Sequence, residues 1–172
     1  MNLTGFANLI TLSRLVITPF LILSILNDRY IISGVLVFLA ILSDWLDGVI
    51  ARKYNDVTKH GELLDPAVDK IFTISVLVAF VEKHYISSFV VFLIVAREML
   101  VTWFRSVMVS KGIVVPASYL GKLKTTAQLA AIFLLSVNIV MYGSILLWIS
   151  IIIAYISAFD YLKIFIKDKA WS

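Results

Sequence analysis

Six stretches of about 20 mostly apolar residues follow one another with little chain between them, approximately residues 7 to 27, 30 to 51, 63 to 82, 86 to 109, 118 to 141 and 144 to 166. About 20 residues of helix cross the hydrocarbon core of a bilayer, and inside lipid only helices and closed barrels satisfy every backbone polar group. The pattern predicts an all-α integral membrane bundle of six transmembrane helices, with residues 1–172 forming a single domain. Composition agrees, because 61% of the residues are hydrophobic and mean hydropathy is +0.99, whereas soluble domains use about 45–50% apolar residues. Arg14 interrupts the first stretch and no small-residue cleavage pattern precedes Asn27, so this segment reads as a span and not a signal peptide. The chain has no cysteine, which excludes disulfide and thiol chemistry.

Lysine and arginine concentrate in cytoplasmic loops. With the N-terminus inside, Arg52, Lys53, Lys59, Lys70, Lys111, Lys122, Lys124, Lys163, Lys167 and Lys169 fall at cytoplasmic ends, and only Arg29 and Lys83 fall outside. Both termini are therefore expected in the cytoplasm of a cell whose inner membrane holds the chain. The net charge of +4 suits an anionic lipid surface. It does not suggest nucleic acid, since the basic residues are spread along helix ends and no soluble domain carries a groove. "NDR" (27–29), "EKHY" (82–85) and "YGS" (142–144) read as outer turns, and "KYNDVTKHGE" (53–62) and "VSKGIVVPASYLGKLK" (109–124) as inner loops. Thr4 is a candidate cap for a short surface helix at the start of the chain.

One stretch conflicts with a lipid environment: "SDWLDGVIARKYNDVTKHGELLDPAVDK", residues 43–70. An ionisable side chain within a span costs about 2.5–3.5 kcal/mol even on the lenient insertion scale, so Asp44, Asp47, Asp65 and Asp69 need partners or a purpose. On helices, Asp44 and Asp47 share one face of the second span, and Asp65 and Asp69 share one face of the third. The short cytoplasmic connection makes those spans antiparallel neighbours, so four carboxylates can converge at their inner ends. Clustered carboxylates cannot all stay ionised without compensation. Oxygen-only donors, with no cysteine and no histidine on this face, favour two divalent ions of the Mg²⁺ or Mn²⁺ type. A pair of such ions suits phosphoryl transfer.

The spacing D-x2-D-G-x2-A-R-x8-G-x3-D-x3-D runs without a miss through Asp44, Asp47, Gly48, Ala51, Arg52, Gly61, Asp65 and Asp69. It resembles the signature of the CDP-alcohol phosphotransferase family, as does the placing of the motif on the second and third of six spans. The resemblance implies transfer of a substituted phosphate from a CDP-linked donor to an alcohol, with release of CMP. It implies that Asp44, Asp47 and Asp65 are metal ligands and that Asp69 both touches a metal and accepts the proton of the attacking hydroxyl. Gly48 and Ala51 would lie along the nucleotide, with Gly48 admitting it close to the backbone. Arg52 would offer its planar fork to the pyrophosphate, and Gly61 would bend the loop so that the third helix starts near the nucleotide. The resemblance also implies a homodimer.

Outside the motif, "NLITLSRLVITPF" (8–20), "AREMLVTWFR" (96–105) and "GKLKTTAQ" (121–128) resemble the bacterial branch of that family whose donor is CDP-diacylglycerol and whose acceptor is sn-glycerol 3-phosphate. Inositol phosphate, serine or phosphatidylglycerol are the alternative acceptors. A phosphorylated acceptor needs cations beyond those serving the donor, and Arg97, Arg105, Lys122 and Lys124 are available. Arg97 and Arg105 lie about two turns apart and are expected to face one cavity, while Glu98 can pair with a neighbouring cation. Asn8, Thr11 and Arg14 share a face of the first span, where they would line the nucleotide pocket or brace the aspartate cluster. Ala7 stands where the related enzymes usually have proline. A cation transporter is the rival from another class, since intramembrane aspartates also make ion pathways. The carboxylates, however, sit near the inner ends of the spans, and no paired broken helices suggest an inverted repeat.

Overall fold

A computed structural model describes residues 3–54, 59–112 and 119–167, with side chains over 12–43, 66–112, 119–159 and at Leu162. Six helices and no strand occur among the described residues: α1 Leu3–Leu26, α2 Tyr30–Tyr54, α3 Lys59–Glu82, α4 Ser88–Ser110, α5 Tyr119–Ser136 and α6 Val140–Lys167. The six apolar stretches thus became six helices, with four local corrections, the first being that residues 119–124, read as the end of an inner loop, begin α5. Thr4 lies inside α1 and does not cap a separate helix. Gly61 lies in the first turn of α3 and not in a loop, because helix propagates back to Lys59. The turn between α5 and α6 falls at residues 137–139, so the "YGS" read as a turn sits inside α6, with Gly143 buried there.

The turns after α1, α3 and α5 share one stop signal. Asp28, His84 and Asn138 adopt φ of 57°, 57° and 65°. The amide after each donates back across the last turn: Arg29 to the Ser24 carbonyl at 2.9 Å, Tyr85 to Phe80 at 2.9 Å and Ile139 to Leu134 at 2.9 Å. A left-handed residue followed by this six-to-one bond satisfies carbonyls that a helix end otherwise orphans. Glycine usually fills that position, and here aspartate, histidine and asparagine do.

The chain divides into two compact units, residues 1–86 with 132–140 and residues 87–131 with 141–172. In the first unit α1 packs against both α2 and α3. Its buried stripe is Arg14, Thr18, Leu21 and Ile25, at helical spacing. Val68, Phe72, Val76 and Phe80 form the corresponding stripe of α3, and Ser33, Val37 and Ala40 that of α2. A Cβ added at Gly34 would stand 2.5 Å from Val137 Cγ1, so the missing side chain is what lets the two segments approach. At the turns, Lys83 Nζ lies 2.7 Å from Asp28 Oδ1, the Tyr30 hydroxyl donates to the same oxygen at 2.8 Å, and the Tyr85 hydroxyl donates to Asn138 Oδ1 at 3.0 Å.

In the second unit the buried stripe of α4 is Val90, Ile94, Arg97, Val101 and Met108. Val101 and Met108 pack with Phe104, Val107 and Ala158. The Tyr155 hydroxyl of α6 donates to the Leu93 carbonyl at 3.1 Å. Among the described residues one stretch, Val140–Phe159, is long and apolar enough to cross a membrane, at mean hydropathy 2.0, and Leu12–Leu26 and Tyr30–Ser43 are shorter apolar stretches. In α4 charge interrupts the apolar run, at Arg97, Glu98 and Arg105.

Candidate active site

The helical backbone fixes the register of the aspartate motif. Asp44, Asp47, Gly48, Ala51 and Arg52 lie on the second half of α2, and Gly61, Asp65 and Asp69 on the first half of α3. At 100° per residue, Asp44 and Asp47 are about 60° apart and Asp65 and Asp69 about 40° apart. Pro66, inside α3, has no amide to give to the Glu62 carbonyl, so the helical turn that leads into Asp65 lacks one rung. The side chains of Asn8, Thr11, Asp44, Asp47, Ala51, Arg52 and Asp65, and the surroundings of Gly48 and Gly61, lie outside the described residues. Among the described residues no three His, Cys, Asp or Glu side chains converge.

Asp69 is the one motif carboxylate whose surroundings are described. Its Oδ1 accepts from Arg14 Nη1 of α1. The two partners are unequally placed: the Arg14 side chain is 3% exposed and the Asp69 side chain 48%. Arg14 stands in the apolar stripe of α1 that continues through Leu21 and Ile25, and its own carbonyl accepts from Thr18 Oγ1 at 2.6 Å. On the α1 face Arg14 is thus paired with one aspartate of the motif, Asp69.

The second unit holds a separate charged cluster. Arg97, in the buried stripe of α4, donates from Nε to the Ala154 carbonyl at 3.1 Å, from Nη2 to Ser157 Oγ at 2.7 Å and from Nη1 to Glu98 Oε1 at 2.9 Å. Lys124 of α5 donates to the same Glu98 oxygen at 2.5 Å. Two buried cations therefore share one carboxylate, with α4, α5 and α6 all contributing. A small cleft here is lined by Arg97, Glu98, Lys124 and Gln128 together with Ile94, Ile151 and Tyr155. The expected pairing of Glu98 with neighbouring cations is what the structure shows.

The four acceptor-site candidates are not all brought together. Arg97 and Lys124 meet through Glu98, whereas Arg105 and Lys122 are exposed and do not line that cleft. Eight residues of helix overshoot two turns by about 80°, which carries Arg105 off the buried stripe that holds Arg97. Of the four, the small cleft holds Arg97 and Lys124. Ser157 and the Ala154 carbonyl were invisible as partners, since a serine and an alanine in an apolar helix carry no sequence signal of a buried guanidinium.

A sequence profile described as CDP-alcohol phosphatidyltransferase matches residues 4–156. Three similar curated proteins are all named CDP-diacylglycerol--glycerol-3-phosphate 3-phosphatidyltransferase. The protein from Rickettsia bellii is 35% identical over 167 residues, covering 91% of this chain and 92% of its own length. That from Wigglesworthia glossinidia brevipalpis is 34% identical over 172 residues, covering 92% and 93%. That from Bacillus subtilis is 30% identical over 176 residues, covering 90% and 91%.

Proposed function

The chain belongs to the CDP-alcohol phosphatidyltransferase family, and from that premise we propose that it transfers the phosphatidyl group of CDP-diacylglycerol to sn-glycerol 3-phosphate, giving phosphatidylglycerol phosphate and CMP. The observation that carries this reading is the likeness, over about nine-tenths of both chains, to relatives whose names state that donor and acceptor. In the reaction, the acceptor hydroxyl oxygen bonds to the phosphorus bearing diacylglycerol. The bond from that phosphorus to the bridging oxygen breaks, CMP leaves with that oxygen, and the hydroxyl proton passes to Asp69.

The donor chemistry of the motif fits hard divalent cations, since Asp44, Asp47, Asp65 and Asp69 offer only carboxylate oxygens, at helical spacings that put each pair on one face. When bound, two Mg²⁺ or Mn²⁺ ions would supply the charge compensation that a transferring phosphoryl group needs. Gly48, Ala51, Arg52, Gly61, Asn8 and Thr11 serve the nucleotide in this reading, and Arg97, Arg105, Lys122 and Lys124 the acceptor phosphate.

The membrane placement is part of the same proposal. Phe20, Ile31, Phe92, Met141 and Phe159 are each more than 60% exposed, an apolar surface suited to lipid and costly in water. With the positive-inside asymmetry, six spans put both termini and the aspartates on the cytoplasmic side of the inner membrane, where the donor enters from the leaflet and the acceptor from the cytoplasm. A homodimer is expected on family grounds.

The test is purified protein with CDP-diacylglycerol and a panel of alcohols, monitored by CMP release. Glycerol 3-phosphate should support turnover, and inositol phosphate, serine and phosphatidylglycerol should not. Chelation should abolish release and added Mg²⁺ restore it, and Asp44→Asn or Asp65→Asn should remain folded without activity. Full turnover in excess chelator would remove the metal part of the mechanism, and preference for another alcohol would change the acceptor.

A further inference from the structure

We propose that Arg14 is a positioning residue for the reaction: from α1, which carries no member of the aspartate motif, it fixes the Asp69 carboxylate in one orientation and supplies its counter-charge. The inference deepens the proposed function and rests on Asp69 being part of that chemistry.

The geometry separates this from an ordinary ion pair. In the stripe Arg14, Thr18, Leu21 and Ile25, three positions are met by groups that a helix packs readily, and the fourth is a guanidinium with only 3% of its side chain exposed. Burying such a cation is costly, and replacing a buried ion pair by well-packed apolar residues is often neutral or stabilising, so the pair is poor evidence for a stability role. The carboxylate, in contrast, is 48% exposed. The buried member is therefore the one that cannot meet a substrate, and the reachable member is the one the motif assigns to chemistry. A guanidinium held on Oδ1 stops the carboxylate from rotating, so its oxygens keep distinct positions along α3. Orienting partners of this kind matter because a reacting group must be held to a fraction of an ångström.

The counter-charge gives a signature that simple structural damage does not. Arg14 and a divalent ion bid for the same negative charge, so removing the fixed cation favours metal binding while loosening the carboxylate that must act. Arg14→Gln should lower kcat for CMP release by about 10–100-fold, the usual effect of losing an orienting partner. The KM values for both substrates should stay within about threefold. In the same protein without substrates, Mn²⁺ affinity read by paramagnetic resonance should rise about threefold or more, a gain of charge complementarity. Arg14→Lys, which keeps the charge and loses the fork, should recover Mn²⁺ affinity close to the original and part of the lost kcat. Thr18→Val, one turn away, should leave kcat and Mn²⁺ affinity unchanged and so controls for disturbance of α1.

Unchanged kcat in Arg14→Gln overturns the proposal. So does Mn²⁺ affinity that stays level or falls, since Arg14 is then a structural brace. If Arg14→Gln does not fold, Arg14→Lys decides: kcat equal to that of the original protein overturns the proposal, and a loss of kcat with Mn²⁺ affinity kept supports it. Should the unaltered protein release no CMP from CDP-diacylglycerol and glycerol 3-phosphate, the proposed function fails, and the Mn²⁺ comparison still judges the coupling of Arg14 to the aspartates.

Discussion

Removing the Glu98 carboxylate should destabilise the second unit about as much as truncating a large apolar side chain in its core. Glu98 Oε1 takes hydrogen bonds from Arg97 at 2.9 Å and Lys124 at 2.5 Å, and both cations are buried, at 6% and 8% exposure. The cluster carries one negative and two positive charges, so Glu98→Ala doubles its net charge from +1 to +2 beside Ile94, Ile151 and Ala154. Arg97 keeps its bonds to the Ala154 carbonyl and Ser157, which limits the damage on that side. Breaking a buried pair by removing one partner costs about 3–5 kcal/mol. For a chain of this length each kcal/mol moves Tm by about 2–4 °C, so a fall of about 6–20 °C is expected. Glu98→Gln keeps an acceptor without the charge and should lose about 1–3 kcal/mol. The assay is thermal unfolding of detergent-solubilised protein followed by circular dichroism, at low and high salt. A Tm for Glu98→Ala within about 2 °C of the original would refute the reasoning, because it would mean that the two cations find solvent or new partners at no cost.

Three further outcomes follow from other parts of the molecule. Arg105 is exposed and free to meet a solute anion, so Arg105→Ala should raise KM for glycerol 3-phosphate by about 10–100-fold, the value of one or two hydrogen bonds to a charged group, with donor KM unchanged in steady-state kinetics. Gly34→Ala would place a methyl 2.5 Å from Val137 Cγ1, and overpacking against a stiff β-branched side chain should lower stability by about 1–3 kcal/mol in chemical denaturation. The Lys83 hydrogen bond, then that of Tyr30, holds the Asp28 carboxyl below its ordinary 3.8, and the Asp28 hydrogen bond holds Lys83 above its ordinary 10.5. The Asp28 contribution is complete above pH 3.8 and lost as pH falls through the lowered value, while that of Lys83 is complete below pH 10.5 and lost as pH rises through the raised one. Lys83→Met should therefore flatten both limbs of a Tm-against-pH curve.

What the sequence discloses depends on whether a residue's meaning is local. Apolar runs are local, and the six expected segments became six helices with ends displaced by a few residues. The largest displacement, at the turn between α5 and α6, has a plain cause: Gly143 attracted the turn because glycine breaks helices, whereas Asn138 supplied the left-handed residue that ends α5. A buried glycine inside α6 and an asparagine acting as a stop are read only once the packing is known. The aspartate motif is recognised for a different reason, since the cation site proposed for it would demand oxygens at fixed spacing and that spacing survives in one dimension. Charge compensation does not survive in the same way. Arg14 and Asp69 are 55 residues apart, and the sequence offered the α1 face as one of two things, a pocket lining or a brace for the aspartates, without naming Asp69 as the partner.

The same distinction orders the basic residues. In the sequence Arg14, Arg97, Arg105, Lys122 and Lys124 stand as equal positive charges. Helix rotation divides them. Arg14, Arg97 and Lys124 turn inward and meet carboxylates of the chain itself, and Arg105 and Lys122 turn outward. A cation already compensated by a carboxylate of the chain binds a further anion only by weakening that contact, so the incoming phosphate has to compete with Glu98 for Arg97 and Lys124. An exposed cation gives up only water. In the proposed reaction the acceptor would accordingly gain its first attraction from Arg105 and Lys122, and its contact with Arg97 and Lys124 would depend on Glu98 yielding. Glu98→Gln, less stable by the estimate above, should on this argument bind glycerol 3-phosphate more tightly, and an acceptor KM that rises in that variant would show that Glu98 holds the two cations in place for the substrate and does not compete with it.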